Sequence, residues 1–275
     1  MAKRVVTLAV LCIAAAGCGG NGGNAAVSKT FTYGPPSAAS APAGATDAVS
    51  SALSFKTGAS ADTAMSTQAA LLDAANVLLG DPASQAAAPT QLPALVRAGR
   101  SRAFAALAAG SSLPADCYKV TANSVTFTNC KFTDSSDTTT SITVDGSIST
   151  SADTVTWNYT MKLAFSDTSA SMTATYKDSG TFTVTATTAK GHDEADVSVS
   201  VTANGQSMTF GLAQAAELDV THSADCSTVI TGGTFEVKRV WTQKPSNASG
   251  DVFKDRGVKF NWTGCGSATV QFSVS

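Results

Sequence analysis

Charge is scarce in this chain and histidine scarcer. Asp, Glu, Lys and Arg make up 14% of its 275 residues, and there are two histidines. With a formal net charge of −2, it has no cluster of Lys and Arg to neutralise phosphates, so no nucleic-acid partner is expected. No cysteines stand in a C-x-x-C pair, which argues against a four-thiolate metal site. The phosphate loop G-x-x-x-x-G-K-S/T is missing. So is a glycine turn joining strand to helix in a dinucleotide site. No G-x-S-x-G elbow is present to expose a serine nucleophile. The apolar stretch Val5–Ala16 falls short of the roughly 20 residues that carry a helix across a bilayer.

The two histidines sit in poor company for chemistry. His192 lies in Gly191-His192-Asp193-Glu194-Ala195-Asp196, which reads as a solvated hairpin tip. Its three carboxylates invite a calcium reading, but strand alternation sends Asp193 to one side and Glu194 and Asp196 to the other. His222 has Asp225 and several serines near it. Serine is so common here that a Ser-His-Asp proposal carries little information. No catalytic residue, metal site or cofactor is expected, and the chain does not read as an enzyme.

What is present begins with an export signal. Lys3 and Arg4 precede the apolar run, and Ala15-Ala16-Gly17-Cys18 follows it. Small residues before a cysteine resemble the lipobox of bacterial lipoproteins, with Ala15 where Leu is usual. The resemblance covers about 20 residues. It implies removal of residues 1–17 and a diacylated Cys18 as the membrane anchor. Without Lys3 and Arg4 the formal charge becomes −4. By the sorting logic of that family, Gly19 after the cysteine implies an outer-membrane location, facing periplasm or cell surface.

Composition then divides the chain. Residues 18–44 are Gly, Ala, Ser and Pro with little to bury, so they read as a flexible tether. Within them Phe31-Thr32-Tyr33 is expected to sample solvent. Residues 45–115 read as helical. Met65, Leu72 and Leu79 recur every seven residues, with Ser60 or Asp62 to cap the start and Gly80-Asp81-Pro82 to stop it. A second helix runs from Leu92 to Ala109, its apolar face holding Val96, Phe104 and Leu107. Arg97, Arg100 and Arg102 fall mostly off that face and read as solvated.

Residues 116–275 switch to period two. Val155, Trp157, Tyr159, Met161, Leu163 and Phe165 alternate with Thr, Asn and Lys, as a strand with one wet face does. Turns can be tested by requiring apolar residues to face apolar residues. Asn204-Gly205 sets Val201 against Met208, Val199 against Phe210 and Val197 against Leu212. Asp167-Thr168 sets Met161 against Ala174, and Ser151-Ala152 sets Ile148 against Val155. A last hairpin pairs Phe260 with Val270 and Val258 with Phe272. The pattern predicts a mainly β protein with N-terminal helices. Its sheet is a sequential antiparallel meander of about ten strands, strongly curved or an open barrel, packed on one or two helices. Leu72, Leu79, Val96, Phe104 and Leu107 are expected to be buried against it, with residues 45–275 folding as one unit.

Four cysteines remain in the exported part, an even number that favours disulfides. A turn at Asn123-Ser124 places Cys117 opposite Cys130, on the Ser/Thr face. Meander order brings Cys226 near Cys265. Two functions from different classes fit. One is a non-catalytic structural or interaction module, anchored in the membrane through Cys18 and binding an envelope protein or polymer. The other is a carrier of a lipid or other apolar ligand, because helices followed by a one-sided apolar meander resemble the open barrel and helical plug of periplasmic lipoprotein carriers. That resemblance is at the level of fold alone.

Overall fold

Alternation of Thr and Ser with Val, Phe and Trp builds strands of unusual length. A computed structural model describes residues 24–39, 116–121, 123–134, 137–166, 170–203, 205–226, 229–244 and 253–274. They form one open antiparallel sheet of 11 strands. The elements are α1 (Ala25–Ser28), β1 (Ser37–Ala39), β2 (Tyr118–Val120), β3 (Ser124–Asp134), β4 (Asp137–Ser151) and β5 (Thr154–Ser166). Then come β6 (Ala170–Val184), β7 (Thr188–Ala203), β8 (Gln206–His222), β9 (Ile230–Gln243), β10 (Arg256–Gly264) and β11 (Ser267–Phe272). From β2 to β11 each strand pairs with its successor, and β1 returns to lie beside β11. Both edges are strands of three residues, β1 and β2, which leaves little exposed ladder for another chain to extend. Among the described residues the only helix is the single turn α1. The helices expected within 45–115, and the burial of Leu72, Leu79, Val96, Phe104 and Leu107, lie outside the described residues.

One face of the sheet, called inner here, holds the main core. Trp157, Phe182, Phe235, Ile148 and Ile230 are essentially without exposure. The outer face carries the alternate residues. Hydroxyls meet there across neighbouring strands, Thr154 with Thr183 at 2.9 Å, Ser200 with Thr209 at 2.9 Å and Thr202 with Ser207 at 2.9 Å.

The hairpin at Asn204-Gly205 has the expected register, with Val201 opposite Met208 and Val197 opposite Leu212. The last hairpin also matches, pairing Phe260 with Val270. Two registers differ by two residues. Met161 faces Tyr176 rather than Ala174, and Ile148 faces Trp157 rather than Val155. A slide of two keeps every side chain on its face, so apolar matching alone does not distinguish the registers.

The polar run at His192 is not a hairpin tip. It lies in the middle of β7, and the turn comes earlier, where Thr185 receives a hydrogen bond from Thr188 N. The first hairpin turns one residue earlier than expected, so Val120 faces Val125. Asn129, at φ 50°, then forms a β-bulge that shifts the register between Phe127 and Cys130. The extra residue reverses the alternation. Cys130 is consequently fully buried on the inner face, not on the Ser/Thr face.

Residues 24–39 are laid against the sheet. Ala26 of α1 is fully buried on the outer face against Ala213 and Val240, with Phe31 beside them. The small side chains of Ala213 and Ala215 let the helical turn approach closely. Asn24 caps α1 by accepting from Ala26 N at 2.8 Å, and its Nδ2 donates to the Ala195 carbonyl at 3.0 Å. Lys29 pairs with Asp255 at 3.2 Å. Tyr33 donates its hydroxyl to Glu236 at 2.6 Å. Phe31-Thr32-Tyr33 is therefore docked rather than sampling solvent. Its rings and hydroxyl find partners that composition alone does not reveal.

Candidate functional site

The inner face is largely apolar; Thr150 and His222 are buried near strand ends, and its other buried polar side chains fall along one transverse row and one flanking position. Cross-strand register makes Tyr159, Asp178, Ala195, Gln214, Arg239 and Arg256 successive neighbours, from β5 to β10. Asp193 stands in the adjacent row, level with Trp157 and Gly180. Each of these polar side chains occupies the core parity of its strand.

The acidic half of this region is saturated. Asp178 is 2% exposed. It accepts from Trp157 Nε1 at 2.8 Å, from Tyr159 OH at 2.8 Å and from Tyr176 OH at 2.8 Å. Trp157 Nε1 also lies 3.0 Å from Asp193 Oδ1. Gly180 makes that second contact possible. It sits between Trp157 and Asp193 in the row, and a Cβ there would collide with the indole and with the His192 carbonyl. Buried carboxylates are tolerated when their lone pairs are filled in this way.

The basic half is different. Gln214 is 8% exposed, and its Nε2 has no hydrogen-bond partner among the described residues. Arg239, directly across from it, has a solvent-shielded Nε with no partner among the described residues. Arg256 is the next residue along the row. Burial, and then the like charge of Arg256, push the Arg239 guanidinium below the ordinary arginine range. Asp255, beside Arg256 in sequence, accepts from Trp241 N at 3.0 Å and pairs with Lys29. On these strands the neighbouring rows are apolar, Leu212 and Trp241 on one side and Ala216, Val237 and Val258 on the other, the second row continuing to Asp193 opposite Ala216.

On the outer face, His192, Glu194, Glu217, Glu236 and Lys238 line a groove of about 320 Å³ beside Val27 of α1. Glu236 is already engaged by Tyr33 and lies 3.8 Å from Lys238. No group of three or more metal-ligating side chains suited to an ion occurs among the described residues. His222 is buried, with Nε2 3.2 Å from the Thr185 carbonyl, while Asp225 is exposed. The described contacts do not bring the two together as a triad.

Cys18 lies outside the described residues. Cys117 and Cys130 stand at disulfide distance, with Cα atoms 5.0 Å apart, and Cys226 and Cys265 do so at 5.5 Å. Sequence separations of 13 and 39 residues make the second closure the larger constraint on the unfolded chain, about 4 kcal/mol against about 3 on the loop-entropy relation. Asp178, Gln214 and Arg239 escaped the reading of the sequence, and Asp193, read there as part of a solvated hairpin tip, is buried. The signal that finds them is parity, since each continues the alternation that places its neighbours in the core. No family model, curated protein or solved structure matches this chain.

Proposed function

We propose that this chain is a lipid-anchored protein of the bacterial cell envelope. Cys18 holds it at the outer membrane, and it acts without catalysis as an interaction module for an envelope protein or polymer. The observation that carries this reading is the outer face. Its exposed hydroxyls bond to one another across strands, giving a regular polar surface that costs little to desolvate against a partner rich in hydroxyls or amides. Docking of residues 24–39 supports it further. Only residues 19–23 separate the anchor from Asn24, a span of at most about 22 Å, so an anchor at Cys18 holds the domain close to the bilayer.

The test is fractionation of cells carrying the native chain or Cys18→Ala, with mass measurement of the N-terminal peptide. The native chain is expected in the envelope with a diacylated Cys18, and Cys18→Ala in the soluble exported fraction. Identical fractionation of the two defeats the anchor.

A second reading, a carrier of a lipid or other apolar ligand, is supported by the extent of the apolar inner face, on which Gln214 Nε2 and Arg239 Nε lack partners among the described residues.

A further inference from the structure

The segment that closes the sheet at β11 is poorly suited to be a strand. It is the end of the docked stretch 24–39 and reads Gly34-Pro35-Pro36-Ser37-Ala38-Ala39. A proline brings no N–H to a ladder. Across Pro35 and Pro36 the register slips. Tyr33 stands opposite Ser273 but Ser37 opposite Val270, so four steps along the segment match three along β11. Regular pairing is confined to Ser37, Ala38 and Ala39 against Val270, Thr269 and Ala268. Before the slip, Gly34 N donates to the Phe272 carbonyl at 3.0 Å and Val274 N to the Thr32 carbonyl at 2.9 Å. The Gly34 carbonyl takes a side-chain amide, Gln271 Nε2 at 2.9 Å. While β1 holds, it shuts this edge to other chains.

Side chains repeat the mismatch. Val270, Phe272 and Val274 share one side of the strand by alternation. Val270 is buried, while Phe272 is 58% exposed and Val274 55%. The other large apolar side chains exposed among the described residues, Val27 in α1 and Met208 in β8, lie elsewhere. Exposure at Phe272 and Val274 therefore coincides with the incomplete ladder. A Cβ at Gly34 would come 3.3 Å from Val274 Cγ1, so a side chain at that position would cover what glycine leaves bare. The rest of the stretch is held by other means. Ala26 is buried, Lys29 pairs with Asp255, and Tyr33 donates to Glu236, so residues 34–39 can leave the edge while 24–33 stay docked. We infer that β11 is a docking edge for an extended strand of a partner protein, with β1 as its placeholder. The partner brings an N–H where this chain has proline and an apolar side chain where it has Gly34, as strand addition to a sheet edge requires. The site rests on the reading of the chain as an interaction module and makes the partner a polypeptide, since a hydroxyl-rich polymer has no backbone to complete a ladder.

The experiment uses the full chain with Cys18→Ser and one probe, a synthetic peptide of residues 30–39 carrying Gly34→Val, Pro35→Thr and Pro36→Val. The same peptide with its backbone N-methylated throughout, which blocks a ladder, is the control. Affinity is followed by fluorescence anisotropy of the labelled peptide, and the place of binding by hydrogen exchange. The peptide is expected to bind and to slow exchange across residues 267–274, and the methylated peptide to do neither. Ser37→Pro removes an N–H opposite Val270, loosens β1 and raises affinity about tenfold by enlarging the open fraction. Pro35→Thr with Pro36→Val in the chain improves its own strand and lowers affinity about tenfold; this variant serves if Ser37→Pro fails to fold. No binding, protection elsewhere than 267–274, or indifference to both variants overturns the docking edge. It leaves the interaction module standing on its outer face, with the anchor tested separately by Cys18→Ala. Equal binding of the methylated peptide overturns strand recognition. Dimers in native mass spectrometry that grow with Ser37→Pro and exclude the peptide make the occupant a second copy and overturn the partner strand.

Discussion

Two polar centres share one buried sheet face and differ in how they are completed. Around Asp178 every donor has its acceptor, and the carboxylate holds Trp157, Tyr159 and Tyr176 in place. Gln214 Nε2 and Arg239 Nε lie sealed from water with no acceptor among the described residues. The cost of burial is similar in kind at both. Only the first is offset within the described residues. A saturated centre is read as architecture, and an unsaturated one as a cost that the described residues do not offset. That distinction rests on counting hydrogen bonds rather than on residue type.

The largest effect expected from breaking the saturated centre comes from Asp178→Ala. It removes the acceptor of two phenol O–H groups and one of the two acceptors of the Trp157 indole, which keeps Asp193, at about 1–3 kcal/mol for each bond lost. Chemical denaturation should show a loss of about 4 kcal/mol or more, and a loss below about 1 kcal/mol would mean that the network adds nothing. A smaller effect follows from Gly180→Ala. The added methyl meets the Trp157 ring and forces it away from Asp193, at a cost of about 1–3 kcal/mol. Near-ultraviolet circular dichroism should report the displaced indole, and an unchanged spectrum with unchanged stability would contradict the geometry.

The smallest effect is on the outer face and varies with pH. Burial, then the hydrogen bond to Glu236 and its charge, push the Tyr33 phenol far above its ordinary value. A folded pKa above the unfolded one gives stability that is full below about pH 10, the unfolded value, and is lost as pH rises beyond it. Tyr33→Phe should therefore cost about 1 kcal/mol at neutral pH. The gap from the native chain should stay level up to about pH 10 and narrow above it. A gap that widens there has the wrong sign.

Much of this fold was legible as period two. The meander order and the registers at Asn204-Gly205 and at the final hairpin follow from facing apolar residues across a turn. The registers at Ser151-Ala152 and Asp167-Thr168 did not, because long uniform strands accept a slide of two without moving any residue off its face. The bulge at Asn129 was invisible for a related reason. One inserted residue changes parity locally, and nothing in Thr128-Asn129-Cys130 marks where. The polar centres were hidden by a habit of reading, since Gly191-His192-Asp193-Glu194 looks like a turn by composition. Only the unbroken alternation of Ala189, Gly191, Asp193, Ala195 and Val197 places Asp193 in the core. Gln214 between Leu212 and Ala216 carries the same signal. The partnerless state of its amide belongs to three dimensions and has no sequence mark.

The sign of one melting shift tests the contrast most directly. Arg239→Met removes a partly buried guanidinium whose Nε is shielded from solvent and without a partner among the described residues, and keeps its aliphatic bulk; replacing poorly offset buried polar groups by an apolar side chain is neutral to stabilising. Measured without ligand beside Asp178→Ala, Arg239→Met should raise the melting temperature by about 2–4 °C, on the scale of about 1 kcal/mol for a domain of this size, while Asp178→Ala lowers it. A fall for Arg239→Met comparable to that for Asp178→Ala would show that the guanidinium is as structurally engaged as the carboxylate, and would contradict the account.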